Sequence, residues 1–308
     1  MQVNKTQEAK IRSAYAECLR LARTHYENFP TASRLVEKSH REATAAIYSF
    51  ARRADDIADE GDKTALQRHS ELDGFSDKLV AIIEDHPIDD PTFIALKDTI
   101  KRYDLPLSPF ERLLIAFKMD IDKKRFADFD ELLFYCSHSA NPVGELILRL
   151  HGSYNTTTRP LSDSICTALQ LINFLQDINE DYQSKDRIYL PQDEMTAFAI
   201  NESVLKNTTN SSDLHGLIDQ QLNRASTMLL AGVPLIHHLH GRLKWVIKLT
   251  ISSALLVCEK LSTRTNVFTR PTLSRIDWLK IALRSIYFRP SRTHAKILSN
   301  LNHRTPHG

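Results

Sequence analysis

Two stretches of the chain carry carboxylates at helical spacing. In HREATAAIYSFARRADDIADE, Asp55 and Asp59 stand four residues apart. On a helix they share a face one turn apart, and Arg52, Tyr48 and Arg41 extend that face backwards. Taken alone, such a stripe also fits a solvated surface laced with salt bridges. In LQLINFLQDINEDY, Gln170, Asn173, Asp177 and Asp181 follow at spacings of three, four and four, a polar line over three helical turns. Between them lie Leu169, Leu171, Ile172, Phe174, Leu175 and Ile178. A helix apolar around most of its circumference is buried, so this polar line must face a partner or a wet cavity. Buried carboxylates need cations or hydrogen-bond donors; a neighbouring basic helix is one way to supply them.

The donor types point to a metal. Oxygen ligands from Asp, Asn and Glu, with no cysteine pair or organised histidine, select magnesium over zinc or copper. Magnesium binds through a few carboxylates, keeps waters and takes substrate phosphate oxygens. Two acidic helices facing one cavity could therefore hold a diphosphate between metal ions, with Arg41, Arg52 and Arg187 adding charge-assisted contacts. Departure of diphosphate from an allylic or cyclopropylcarbinyl carbon leaves a carbocation, which needs an apolar, aromatic and dry cavity.

The elements that must position these residues are helices. The chain has 308 residues, 42% hydrophobic and 25% charged, the profile of a globular protein. Eight glycines are few for a fold built on tight βα turns, and apolar residues recur at helical spacing with no convincing alternating strand. We expect about ten helices, near 8–25, 40–60, 64–85, 91–103, 109–122, 129–151, 162–183, 212–236, 240–262 and 275–288. No glycine- or serine-rich linker divides them. The expectation is one all-α domain over residues 1–290, followed by a loosely attached basic tail, 291–308. Cys18, Cys136, Cys166 and Cys258 form no C-x-x-C pair, which points to a reduced, cytoplasmic compartment. His237, His238 and His240 lack a carboxylate partner and read as surface.

The stretch MQVNKTQEAKIRSAYAECLR lacks the apolar core of a signal peptide and resembles an amphipathic helix. The most apolar run, Leu249 to Cys258, is shorter than a bilayer-spanning helix needs, so no membrane crossing is expected. Net charge is only +2, yet nine Lys or Arg and a single acid, Asp277, lie from Arg264 onward. Such an end attracts anionic headgroups. Within it, Trp278, Ile281, Ala282 and Tyr287 supply an apolar side, with Arg275, Lys280 and Arg284 near the headgroups, so peripheral contact at the inner face of a membrane is expected. A nucleic-acid role is not, because no reading motif is present.

Four motifs together resemble the squalene/phytoene synthase family of isoprenoid synthases. They are Arg52-Arg53-Ala54-Asp55-Asp56-Ile57-Ala58-Asp59, then Tyr135-Cys136 through Val143-Gly144, then Gln170-Leu171-Ile172-Asn173 leading to Asp177-Ile178-Asn179-Glu180-Asp181, and Arg187-Ile188-Tyr189-Leu190-Pro191. The resemblance runs from about Asn28 to Pro191 and more weakly beyond. It implies a helical bundle around a central cavity. It also implies magnesium on Asp55, Asp59, Asp177 and Asp181, with Glu180 as a further ligand, and diphosphate on Asn173, Arg41, Tyr48, Arg52 and Arg187. Gln170 and Tyr135 then belong to the catalytic cavity, Tyr135 matching a proton acceptor of the condensing enzymes.

The departures are informative. Condensing members have an Ala-Gly pair where this chain has Ala140-Asn141-Pro142, and an arginine where it has Gln176. With Asn28-Phe29-Pro30 and Ser33, these features look like the hydroxysqualene-forming branch of hopanoid biosynthesis. That branch takes presqualene diphosphate and captures the rearranged cation with water, so no NADPH is expected. Proline inside a helix removes a donor and opens a kink; we expect Asn141, with His138 and the freed carbonyl, to hold that water. Asp186 replaces a glycine before Arg187, where a carboxylate could compete for that arginine. A condensing synthase, or a non-catalytic scaffold of the same fold, is the alternative.

Overall fold

The structure, a computed structural model, describes residues 2–24 and 37–302. Asn28-Phe29-Pro30 and Ser33, which helped mark the branch, lie outside the described residues. Among those described there is no strand, only an isolated parallel bridge between Arg125 and Ile188. The helices cluster into two compact units, where the sequence reading has a single domain.

The first unit comprises Met1–Asp122 and Pro142–Tyr154. It contains α1 (Gln2–Thr24), α2 (Arg41–Asp59), α3 (Ala65–Ile83), α4 (Pro91–Tyr103), α5 (Ser108–Asp122) and nearly all of α7 (Asn141–Leu150). Its centre is an aromatic knot in which Phe50 meets Phe93 and Phe110 edge-on, with centroids 5.8 and 5.3 Å apart. All three rings are fully buried. The small residues Ala45 and Ala46 let α2 pack closely on α1 and α4, where they meet Ala14, Tyr15 and Ala95. Tyr15 reaches across to Asp98 (2.8 Å) and Thr99 (2.9 Å). Asp90 accepts from the Thr92 amide at the start of α4 and takes a bidentate pair of bonds from Arg53 (2.6 and 3.0 Å).

The second unit comprises Lys123–Asn141 and Asn155–Gly308. It holds α6 (Phe129–Ser139), α8 (Thr158–Gln176), α9 (Ile178–Lys185), α10 (Gln192–Ala197), α11 (Glu202–Lys206), α12 (Ser212–Gly232) and a 3-10 turn (Val233–His237). It also holds α13 (Gly241–Thr263), α14 (Arg275–Ile286) and α15 (Pro290–Asn302). Helices α8 and α12 form its spine. Where the end of α12 meets α8, Gly232 is obligatory, because a Cβ there would stand 2.4 Å from Ile165 and 2.7 Å from the Leu161 carbonyl. Glu194 of α10 gathers Gln220, Gln221 and Arg224 from α12.

Three expectations need correction. The helix foreseen over 129–151 is two helices, because Pro142 starts α7 rather than kinking a continuous rod; proline suits a first turn, where its missing N–H is no loss. The helix foreseen over 162–183 breaks at Asp177 (φ −105°, ψ 14°). The foreseen loose tail is ordered through residue 302: α15 packs on α13 and α12, with Ile297 fully buried and Leu301 buried.

Candidate active site

In the first unit, α2 buries Ala43, Ala46, Ile47, Phe50, Ala54 and Ala58. Its other side carries Arg41, Tyr48, Arg52, Asp55 and Asp59, all half-buried, so the structure brings the five foreseen residues onto one stripe. Arg52 is the hub of that stripe. Its guanidinium hydrogen-bonds Asp55 (3.2 Å) and Glu60 (2.7 Å) and forms an ion pair with Asp56 (2.7 Å). Arg53, its neighbour in sequence, points elsewhere and is committed to Asp90. Asp56 and Glu60 were not foreseen as partners, although their spacings of four and eight from Arg52 are the available signal.

In the second unit, the break at Asp177 does not end the polar line. The Asp177 amide donates to the Asn173 carbonyl (2.9 Å) and the Asp181 amide to the Asp177 carbonyl (2.8 Å), so the helical ladder continues across it. Gln170, Asn173, Asp177 and Asp181 remain half-buried, while Leu171, Ile172, Phe174, Leu175 and Ile178 are buried as expected. Glu180 lies on the exposed side, 65% accessible, though within 3.8 Å of Arg270. The carboxylates crowd one another: burial, and then the charge of Asp177, push Asp181 up to about 7. That is a place short of positive charge.

One cation answers it from a distance in sequence. The Arg270 side chain bonds Asp177, with Nε on Oδ1 and Nη2 3.4 Å from Oδ2. Beside it, Gln176 donates through Nε2 to the Pro271 carbonyl (2.7 Å). The loop around residue 270 is therefore fastened to the end of α8 by two adjacent side chains. Sequence reasoning missed Arg270, which it counted only among the bases of the C-terminal end.

The Arg187 segment is laid down by a short backbone pairing. The Ile188 amide donates to the Lys124 carbonyl and the Gln192 amide to the Phe126 carbonyl, each at 2.9 Å. Arg187 is buried, its amide bonded to the Asp181 carbonyl (3.0 Å), which ties it to the end of the acidic line. Asp186 adopts the left-handed conformation (φ 51°, ψ 37°) that closes α9, a conformation glycine and Asp tolerate. Its carboxylate pairs with Arg125 (2.9 Å), not with Arg187. The expected competition is thereby resolved in favour of another arginine.

Tyr135 is buried in an aromatic cluster with Phe126, Phe174 and Tyr189, its centroid distances being 5.4, 6.2 and 5.9 Å. Phe174 and Tyr189 stack in parallel at 3.7 Å. Asn141, 8% exposed, accepts at Oδ1 from the Thr167 hydroxyl (3.0 Å). His138 does not join it as foreseen: its ring packs on Phe134, and its Nδ1 lies 2.9 Å from both Ser137 Oγ and the Phe134 carbonyl. His237, His238 and His240 are exposed, as expected.

Among the described residues no three His, Cys, Asp or Glu side chains converge closely enough to hold a metal ion. Each unit offers a pair of carboxylates one turn apart. Hard oxygens in pairs fit magnesium, which needs few protein ligands when phosphate oxygens and waters complete its shell.

Comparison with known proteins decides the family. The squalene/phytoene synthase model matches residues 22–278. The chain belongs to the squalene/phytoene synthase family. This family member is 34% identical to the hydroxysqualene synthase of Rhodopseudomonas palustris over 268 residues, covering 85% of the chain and 88% of that protein. It is 33% identical to the phytoene synthase of Mycobacterium tuberculosis over 237 residues, 76% of each chain. The crystal structure of a squalene synthase from Alicyclobacillus acidocaldarius superposes with a TM-score of 0.78 at 30% identity, covering 85% of this chain and 97% of that one. The fold is thus the all-α isoprenoid synthase fold.

Proposed function

We propose that this family member is a hydroxysqualene synthase, converting presqualene diphosphate and water to hydroxysqualene and diphosphate with magnesium. The observation that carries the reading is the intact pair of acidic stripes, Asp55 with Asp59 and Asp177 with Asp181, combined with a neutral Gln176. Hydroxysqualene synthases among the relatives, including that of Rhodopseudomonas palustris, support it.

Bound magnesium would supply Lewis-acid stabilisation of the departing diphosphate. The chain's own groups do the rest. Asp55, Asp59, Asp177 and Asp181 would hold the ions, with Asn173 offering a neutral oxygen and the exposed Glu180 a further carboxylate. Arg41, Tyr48, Arg52 and Arg187 contact diphosphate oxygens; Arg52 and Arg187 are already held beside the acidic lines. Arg52, now paired with Asp55, is the guanidinium placed to turn to phosphate, and Asp55 the carboxylate that would serve a metal ion. The cluster of Tyr135, Phe174, Tyr189 and Phe126 would supply the aromatic, water-excluding wall that a carbocation needs. Asn141 and Gln170 are the polar groups left to orient the capturing water. No step calls for hydride, so NADPH is not required.

The reading is tested by incubating the purified chain and magnesium separately with presqualene diphosphate and with farnesyl diphosphate, without and with NADPH. Hydroxysqualene from presqualene diphosphate alone is the expected product. Squalene on adding NADPH, or presqualene diphosphate or phytoene from smaller prenyl diphosphates, would replace this reading by a condensing one.

A further inference from the structure

Helix α14 is apolar on the side that does not pack. Its inner side is narrow: Ile281, Ser285 and Asp277 are buried, Ser285 bonds Ser252 of α13 (3.1 Å), and Asp277 is held by Lys260 of α13 (2.6 Å). On the opposite side, Ile276, Leu279, Leu283, Ile286 and Tyr287 form one stripe spanning about 100° of the helix, and each is 49–71% exposed. Trp278 (55%) and, on α13, Trp245 (46%) flank it; Lys248 lies over both the Trp245 ring and the ring of Phe288, which places Trp245 at this end of α14. Seven of the twelve large exposed apolar residues among those described thus sit on this surface. The expectation from sequence is corrected at one residue: Ile281 faces the protein interior, while Trp278, Ala282 and Tyr287 are exposed as expected and Ile276, Leu279, Leu283 and Ile286 extend the apolar side.

The charges around the stripe have one sign. Arg275 and Lys280 border it, and the only acid of α14, Asp277, is buried. Beside the stripe a cleft of about 340 Å³ opens between α13, α14 and α15. Arg284, Arg289, Arg292 and Lys296 line it, and no acid does. Glu259, beneath it, accepts from Arg284 (2.9 Å) and Lys296, while Arg284 Nη1 is buried without a hydrogen-bond partner among the described residues. Leu283 and Tyr287 belong to both cleft wall and stripe.

We infer that α14 docks this chain on an anionic phospholipid bilayer, the stripe entering the interface and the cleft taking a phosphate headgroup. A second copy of the chain fits less well, since a two-fold contact would set the basic borders of one stripe against those of the other. An anionic lipid surface meets both features at once: apolar area buries, and cations near headgroups gain attraction. Among the described residues no helix is long and apolar enough to cross a membrane, so the contact is lateral. The inference does not depend on which nucleophile captures the cation.

Both tryptophans of the chain lie at this surface, so intrinsic fluorescence reports docking without a label. The full chain is titrated with vesicles of phosphatidylcholine alone and of phosphatidylcholine with phosphatidylglycerol, at low and high salt, with flotation as a second readout. We expect a blue shift and flotation with the anionic vesicles, weakened by salt. Leu279→Asp with Leu283→Asp, both exposed in the fold, abolishes binding while circular dichroism is unchanged. Arg289→Gln with Arg292→Gln weakens anionic binding about 25-fold, from roughly fivefold per basic side chain lost near a charged surface. Equal binding to both vesicles irrespective of salt, or binding by the Leu279/Leu283 variant as tight as by the native chain, overturns the inference. So does a salt-stable dimer that this variant splits and that ignores vesicles.

Discussion

Replacing Asn141 by alanine separates a packing role from a chemical one. The Asn141 amide oxygen accepts a hydrogen bond from the Thr167 hydroxyl at 3.0 Å, and both residues are nearly inaccessible. Asn141→Ala leaves that hydroxyl buried with nothing to donate to, a loss of about 1–3 kcal/mol. Thr167→Val removes the donor instead and keeps the shape, so it should cost less, about 1 kcal/mol. The double variant should then be more stable than the sum of the two, by about 1 kcal/mol, because one interaction is lost only once. Denaturant midpoints followed by circular dichroism give these values. The same proteins are then given presqualene diphosphate and magnesium, and the products separated. If Asn141 orients the capturing water, Asn141→Ala diverts the cation to elimination products or isomeric alcohols while diphosphate release falls less, and Thr167→Val keeps hydroxysqualene. Additive stabilities would refute the hydrogen bond as the source of the effect. An unchanged product from Asn141→Ala would confine the amide to packing and remove it from the mechanism.

Asp55→Asn and Asp177→Asn should each abolish diphosphate release with circular dichroism unchanged, since each takes a ligand from an acidic pair; near-native turnover with magnesium present would contradict the assignment. Arg270→Ala frees Asp177 of its partner, which is 47% exposed, so half-saturating magnesium should fall by up to about fivefold, the scale of a part-exposed ion pair. No change, or a rise, would mean that Arg270 does not compete for that carboxylate. Asp277 is held well below the usual carboxylate range by Lys260 and by the Ser274 bonds. Its stabilisation is therefore present above the unfolded value of about 3.9 and lost as pH falls towards the folded one. Asp277→Asn should lower the melting temperature at neutral pH, with the gap closing below about pH 4; a gap independent of pH would place the effect in packing.

Helical period carried most of the fold, because α2 and α8 are long enough for an apolar side to be unmistakable. It failed where length or context decides. Helices α10 and α11 have six and five residues, too few for a period to register. Helix α15 buries only Ile297 and Leu301, a pair one turn apart that reads as noise without α13 beside it. Pro142 was visible, but a proline starting a helix and one bending a helix look alike until the preceding residue is placed. In α14 the period was right and its meaning ambiguous, since apolar residues repeat alike on a side that packs and on a side that does not.

The acidic motifs show the same limit in chemical form. Carboxylate spacing is local, so both stripes were legible; their counter-charges are not local. Gln176 stands where the condensing pattern has arginine, and from sequence that is simply a cation lost. In the fold its amide grips the Pro271 carbonyl, and the next residue back along that loop, Arg270, brings a guanidinium to Asp177. A positive charge is thus brought to Asp177 from a loop 93 residues away. A guanidinium fixed on the helix would stay beside the departing diphosphate throughout the reaction. One delivered by a loop is not fixed to the helix, and the Gln176 bond to the Pro271 carbonyl is what holds the loop in reach.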